Sequence, residues 1–292
     1  MTLPAPSGSP STGRQVRPAG LTDQQKVADL IFFESHVHRH LDWRTPLDWL
    51  GSSPYWVLEE GHRVTAALAC PPDPENIAWI RLFAFASHLS GPSVWPPLWN
   101  AARQQLADCG GATVAAITTQ HWFDELLMDD GFDLAGHIVL LEWKDGAVDS
   151  PRLPAGVAIR TMRYDDLSGV VQVDAEAFEP LWRNSSAALS KAYEQASYAT
   201  LAEDSSGVIG YQLSTGGSFG AHLARLAVRT DRQGHGLGAA LVQELILHIQ
   251  RTGGSRVTVN TQADNAASLA LYDRLGFRRT GEQYPVYATV VK

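Results

Sequence analysis

Apolar positions along this chain recur with two periods, two and about 3.6 residues, and the order in which those periods alternate occurs twice. The second occurrence is the clearer. Val157–Met162 alternates as a strand, and a helix that Asp165 or Asp166 can cap runs from there toward Phe178. Asn184-Ser-Ser opens another helix, through about Gln195. Strands at Tyr198–Glu203 and Val208–Ser214 flank Asp204-Ser-Ser-Gly207, a hairpin turn by composition. A strand ending at Val228 leads to a helix over Leu237–Arg251, with Leu237, Leu241, Leu245 and Ile249 on one face. Strand Arg256–Asn260, helix Ala266–Leu275 and a closing pair near Phe277–Thr280 and Val286–Val291 complete the series.

The first occurrence is fainter. Leu21–Leu41 is helical in pattern, and Tyr55–Glu59 and Val64–Ala69 flank Glu60-Gly61 as a hairpin. Ala78–Phe85 is an apolar strand, followed by a helix around Leu98–Cys109, a strand Ala112–Thr118, and His121–Asp130 leading into Gly131-Phe132. That last piece parallels the run that begins at Gly276-Phe277, so the chain is read as two copies of one fold. Residues 1–20, rich in Pro, Gly and Ser, are expected to be a disordered tail. The copies are assigned to 21–143 and 157–292, with the Pro/Gly segment 144–156 as linker. At 292 residues the chain is long enough for two cores.

The most informative stretch joins the strand His222–Val228 to the following helix. Gly234, Gly236 and Gly238 let an anion approach backbone N–H groups, and the helix N-terminus attracts negative charge. A nucleotide P-loop would need Gly-Lys-Ser/Thr, whereas Ala239 and Ala240 follow Gly238. The dinucleotide fingerprint fits more loosely, as Gly234-x-Gly236-x-x-Ala239. It expects the first glycine directly after the strand, however, and an acidic residue closing the next one. In this chain Arg229 to Gln233 intervene and the next strand ends in Asn260. Gln233-x-x-Gly236-x-Gly238 instead resembles the pyrophosphate signature of the GNAT superfamily, the acyl-CoA-dependent N-acetyltransferases. Asn265-Ala-Ala-Ser268-Leu-Ala-Leu-Tyr272-Asp-Arg-Leu-Gly276-Phe277 resembles the second GNAT signature, at the expected distance.

The resemblance implies an α/β (α+β) fold in which each copy is a mixed, mostly antiparallel sheet flanked by helices. It implies acetyl-CoA as acyl donor and an amine, on a small molecule or a protein N-terminus, as acceptor. The pantetheine arm would pair with Leu226, Ala227 and Val228. The pyrophosphate would rest on Gln233, Gly234, His235, Gly236, Leu237, Gly238 and Ala239, with Asn265 and Ser268 on the opposite wall. Tyr272 falls at the family's general-acid position; a buried aromatic closing the core is the plainer alternative. The strand into the loop has no carboxylate where several relatives carry a basic Glu. His222 is the titratable group there suited to accepting a proton near neutrality, although a strand histidine is commonly structural. Glu176 and Glu179, in Asp174-Ala-Glu-Ala-Phe178-Glu-Pro-Leu-Trp182, are its rivals, and Asp174, Glu176 and Phe178 are candidates for amine recognition, with capping and solvation of a helix end as the plainer alternative. That segment is similar to ribosomal-protein alanine N-acetyltransferases, whereas the tandem arrangement is closer to mycothiol synthase-like proteins.

The first copy reads Ala86-Ser-His-Leu-Ser-Gly-Pro-Ser-Val-Trp-Pro-Pro-Leu98 where the second has its glycines. Proline has no N–H, so loss of acyl-CoA binding is expected there, with a structural or substrate-shaping role for a copy that holds eight of the nine tryptophans. The net charge of −8 argues against nucleic-acid binding. No apolar run reaches membrane-spanning length and no secretory h-region opens the chain, so a cytoplasmic protein is expected. Cys70 and Cys109 have no metal or redox spacing, and His36-Val-His38-Arg-His40, placed on a helix, lacks a completed ligand set, so no metal is expected. A homodimer is left open. The competing function is a non-catalytic acyl-CoA sensor or scaffold; a nicotinamide-dependent enzyme is a third reading.

Overall fold

The computed structural model describes residues 13–217 and 219–292, and the predicted succession of elements runs through them twice. The first copy comprises β1 (Arg14–Pro18), α1 (Gln24–Phe33), β2 (His36–Arg39), β3 (Tyr55–Glu60), β4 (Arg63–Ala69), β5 (Ile77–Trp79), β6 (Leu82–Phe85), α2 (Gly91–Asp108), β7 (Ala112–Ile117), α3 (His121–Asp129) and β8 (Asp133–Lys144). The second comprises β9 (Ala158–Thr161), α4 (Leu167–Ala177), α5 (Ser186–Gln195), β10 (Tyr198–Asp204), β11 (Gly207–Gly217), β12 (Gly220–Val228), α6 (Leu237–Arg251), β13 (Arg256–Gln262), α7 (Ala266–Arg274) and β14 (Arg278–Val291). Among the described residues no helix is long and apolar enough to cross a membrane.

Two sheets result, ordered β1-β3-β4-β6-β2 and β5-β7-β14-β8-β13-β12-β11-β10-β9. The second order shows that the copies exchange their last strands. β8, which ends the first copy, pairs with β13 of the second, Arg256 opposite Lys144 through Gln262 opposite Ile138. β14, which ends the second, pairs with β7 of the first, Val286 opposite Ile117 through Val291 opposite Ala112. β8 and β14 also pair antiparallel with each other, as the fourth and third of the nine strands. Side chains follow the exchange: Val139, Leu141 and Trp143 lie in the core beneath α6 and α7, whereas Tyr287 and Val291 lie in the core of the first copy.

Equivalent positions of the copies are 145 residues apart along the last helix, so that Leu126 answers to Leu271, Leu127 to Tyr272 and Phe132 to Phe277. The cap bonds repeat as well: the Phe132 N–H donates to the Leu127 carbonyl and the Phe277 N–H to the Tyr272 carbonyl, both at 3.0 Å. A Cβ on Gly91 would approach Leu126 Cδ1 to 2.8 Å, and one on Gly238 would approach Leu271 Cδ1 to the same 2.8 Å. In each copy a glycine lets two helices touch.

Several expectations need correcting. Residues 14–18 are not tail but strand β1, paired with β3; residues 1–12 lie outside the described residues. The helix expected over 21–41 ends at Phe33, and His36–Arg39 is strand β2, because the open edge of β6 captures it. Period two then puts His36, His38 and His40 on one face, where His36 stacks on Phe85, His40 stacks on Trp79 and His38 packs at a tilt against Phe123. α2 begins at Gly91, with Pro92 in its first turn, where a missing N–H is harmless; Pro96 and Pro97 fall inside it, held by the buried Trp95, Leu98 and Trp99. The closing pair is one bulged strand, β14.

Without β8 the apolar edge of β13 and the underside of α7 are uncovered. Residues 150–292 expressed alone are expected to show no cooperative urea transition, and a peptide of residues 133–146 to restore one. Circular dichroism across the titration checks this; a fully stable isolated fragment contradicts it.

Candidate active site

β12 and β13 are parallel and paired only from Ala221 opposite Val257 to Leu223 opposite Val259. Beyond that they diverge. A bulge in β12 at this point, between Leu223 and Arg225, re-aims its remaining residues. The Arg229 N–H bonds to the Ile209 carbonyl. By antiparallel alternation Ala227 therefore also turns its backbone toward β11, whereas Leu226 and Val228 turn theirs into the gap. Of the three residues expected along a pantetheine arm, Leu226 and Val228 offer backbone groups and Ala227 is buried against α4.

The glycine loop closes the same end of the sheet. Gly234 and Gly236 have φ of 77° and 83°, the left-handed region where a Cβ is strained. Gly236 caps α6, and the first helical bond runs from the Ala240 N–H to its carbonyl at 3.0 Å. The N–H groups of Gly234, His235, Gly236, Leu237, Gly238 and Ala239 have no acceptor among the described residues. The first turn of α6 carries no acidic residue. This is an anion-binding helix start. Gln233 donates through Nε2 to the Val228 carbonyl at 3.0 Å and ties the loop to the strand end, and His235 Nδ1 bonds the Gln233 carbonyl at 2.8 Å.

Tyr272 is 4% exposed, with its ring 5.4 Å from that of Phe277. Burial pushes its pKa up. Its hydroxyl has no hydrogen-bond partner among the described residues. Asn265 accepts the Ser268 N–H at 3.0 Å and so caps α7. His222 Nδ1 meets Thr258 Oγ1 at 2.9 Å just before the divergence, and burial holds its pKa below the ordinary histidine value. Glu176 is brought to a different place. It is exposed at the end of α4, on an outer groove shared with Gln172, Ser206 and Arg229, and its carbonyl accepts from Thr230.

Asp174, a candidate for amine recognition, is fully buried and fully used. Its carboxylate takes Arg225 Nε and Nη2 at 2.7 and 2.8 Å, the Tyr211 hydroxyl at 2.5 Å and the Asn184 N–H at 2.9 Å. Arg225 also donates to the Trp182 carbonyl at 2.7 Å and lies 3.5 Å above the Phe178 ring. The pair thus fixes the 178–184 segment beside the divergence. Trp182 in turn packs on Trp79 of the first copy, centroids 5.4 Å apart, and Gln195 reaches the Trp43 carbonyl at 2.6 Å. Thr258, Trp182 and the Arg225–Asp174 pair do not stand out in the sequence as a unit, because their partners are far away along the chain.

The corresponding gap in the first copy is filled. β5 and β6 together match β12: β5 pairs parallel with β7, then Ile80 and Arg81 switch the strand to β4. β2 runs antiparallel along the edge that would otherwise be open, His36 opposite Phe85 through Arg39 opposite Leu82. At the following turn the Glu34 carboxylate accepts the Ser87 N–H at 2.7 Å and its hydroxyl at 2.5 Å. A peptide strand and a carboxylate lie where the second copy leaves an open edge and free N–H groups.

Residues 167–277 match the acetyltransferase (GNAT) family. The chain is 31% identical over 156 residues to the mycothiol acetyltransferase of Saccharomonospora viridis, a match spanning 46% of this chain and 50% of that protein. It is 38% identical over 69 residues to the [ribosomal protein bS18]-alanine N-acetyltransferase of Escherichia coli, spanning 24% and 47%. The chain spans about half the length of these curated relatives. A tandem GNAT protein from the clavulanic acid biosynthesis pathway superposes with a TM-score of 0.63 at 16% identity, over 96% of this chain and 99% of that one. The family match thus covers residues 167–277, and the fold over nearly the whole length resembles that of a tandem GNAT protein.

Asp174→Asn leaves Arg225 buried without a full counter-charge and is expected to destabilise the protein by about 3–5 kcal/mol. Urea denaturation at neutral pH measures it; a loss below about 1 kcal/mol, the range of an exposed pair, contradicts the anchoring role.

Proposed function

We propose that the second copy transfers an acetyl group from acetyl-CoA to a primary amine by direct attack in a ternary complex. The observation that carries this reading is a strand edge left open where β12 and β13 part, next to a glycine loop whose N–H groups have no acceptor among the described residues. Pantetheine adds to the edge of β12 through Leu226 and Val228, and the pyrophosphate takes the N–H groups from Gly234 to Ala239. The neutral amine attacks the thioester carbonyl, and the C–N bond forms while a backbone N–H on the open edge of β12, beyond the pantetheine arm, steadies the oxyanion. Collapse breaks the C–S bond, and Tyr272 gives its proton to the departing thiolate. His222, whose Nδ1 shares a hydrogen bond with the Thr258 hydroxyl, takes the proton the amine loses at its other ring nitrogen. Glu176, on the outer groove, has less support in that role.

The relatives' names share acetyl transfer and differ in acceptor, so the acceptor is defined by class alone, as a primary amine. The first copy serves as scaffold. Leu127 stands where Tyr272 does, β2 covers the strand edge, and Glu34 takes the donors at the turn. One acyl-CoA is bound per chain.

Calorimetry on the full chain is expected to give one acetyl-CoA site; two sites overturn the filled-gap reading, and no binding overturns the activity. Tyr272→Phe is expected to lower turnover about a hundredfold or more while acetyl-CoA affinity holds. Unchanged turnover would remove Tyr272 from the chemistry, and a protein that binds acetyl-CoA but acetylates none of a panel of amines would be the sensor instead.

A further inference from the structure

The helix carrying Tyr272 rests on a side chain contributed by the other copy. Trp143, at the end of β8, is 3% exposed and shares an apolar cluster with Tyr272 and Phe277. A Cβ on Gly276 would lie 3.6 Å from its indole Cδ1, and one on Gly146 would lie 3.5 Å from its Nε1. The indole is therefore held between the turn that ends α7 and the chain leaving β8. That turn governs Tyr272 directly: the Phe277 N–H bonds the Tyr272 carbonyl and the Gly276 N–H bonds that of Asp273, both at 3.0 Å. The strand end is itself pinned. Trp143 pairs opposite Val257, the Asp145 N–H bonds the Ser255 carbonyl at 3.0 Å, and Gln250 Nε2 bonds the Gly146 carbonyl at 2.9 Å.

We propose that Trp143 is a positioning residue for Tyr272, wedged under the last turn of α7 so that the tyrosine hydroxyl is set against the thioester sulfur. The proposal rests on the general-acid reading of Tyr272. Gln250 places Trp143 at the C-terminal end of α6, whereas the pyrophosphate loop is at its N-terminal end. Loss of the indole should thus act on the proton donor and spare the cofactor contacts. A shift of about 1 Å in a reacting group lowers turnover on the order of a hundredfold.

The test is a double-mutant cycle on the full chain with Trp143→Ala and Tyr272→Phe, read as kcat and KM for acetyl-CoA. Trp143→Ala is expected to lower kcat about tenfold to a hundredfold with KM unchanged. In the Tyr272→Phe background it should do nothing further, and Trp143→Phe should recover most of the loss. An equal fall in kcat in both backgrounds, a rise in KM in step with the fall, or no recovery with Phe overturns the positioning role. If Trp143→Ala does not fold, Trp143→Leu goes through the same cycle with the same outcomes. Full turnover by Tyr272→Phe alone would overturn the acid reading instead, a result separable from every failure of Trp143.

Discussion

β8 and β14 lie side by side inside the nine-stranded sheet, each completing the copy to which the other belongs. Their ladder joins two sheets' worth of backbone into one, and their side chains are divided between two cores. A strand buried in this way cannot be withdrawn without leaving its neighbours' N–H and C=O groups unpaired and an apolar face wet. Everything that positions the site follows from this reciprocity. α7 packs over side chains of β8, and the 178–184 segment leans on Trp79, beside strands completed by β14.

The two copies have kept the same packing and parted in their chemistry. Gly91 and Gly238 allow the same close helix contact, and Phe132 and Phe277 end equivalent helices with the same cap bond. These positions are set by volume and backbone conformation, which the fold requires in both places. Where a ligand would act, the copies differ: Leu127 against Tyr272, and a covered strand edge against an open one. In the first copy β2 pairs with the strand edge and Glu34 accepts the Ser87 donors at the following turn.

Arg225 and Asp174 illustrate how a charged pair can shape a site without entering its chemistry. Both lie near the divergence, yet every strong hydrogen-bonding position of the carboxylate is occupied within the protein. The pair holds Phe178, Trp182 and Asn184 in place and thereby fixes one wall. Asp174 sits among candidate acceptor-binding residues in the sequence; its burial removes it from that role.

The elements of the second copy, its glycine loop and the two GNAT signatures were legible because each depends on neighbours a few residues away. Periodicity marks a helix face, a left-handed turn asks for glycine at 234 and 236, and a cap needs Asn265 beside its own helix. The repeat was legible for the same reason, in Gly131-Phe132 against Gly276-Phe277. What no local pattern holds is which strand pairs with which. His36–Arg39 reads as helix and becomes strand because β6 offers an unpaired edge. Trp143 reads as the last residue of one copy and becomes part of the other's core. His222 acquires Thr258, and Glu176 is turned onto the outer groove, through pairings and packing between segments distant in sequence. The sequence by itself determined the local elements and the backbone of the anion site, since short-range sterics and hydrogen bonding decide those. Only the tertiary structure decided how the first copy's edge is covered and which side chains reach the open one in the second, since strand exchange brings together residues that no periodicity links.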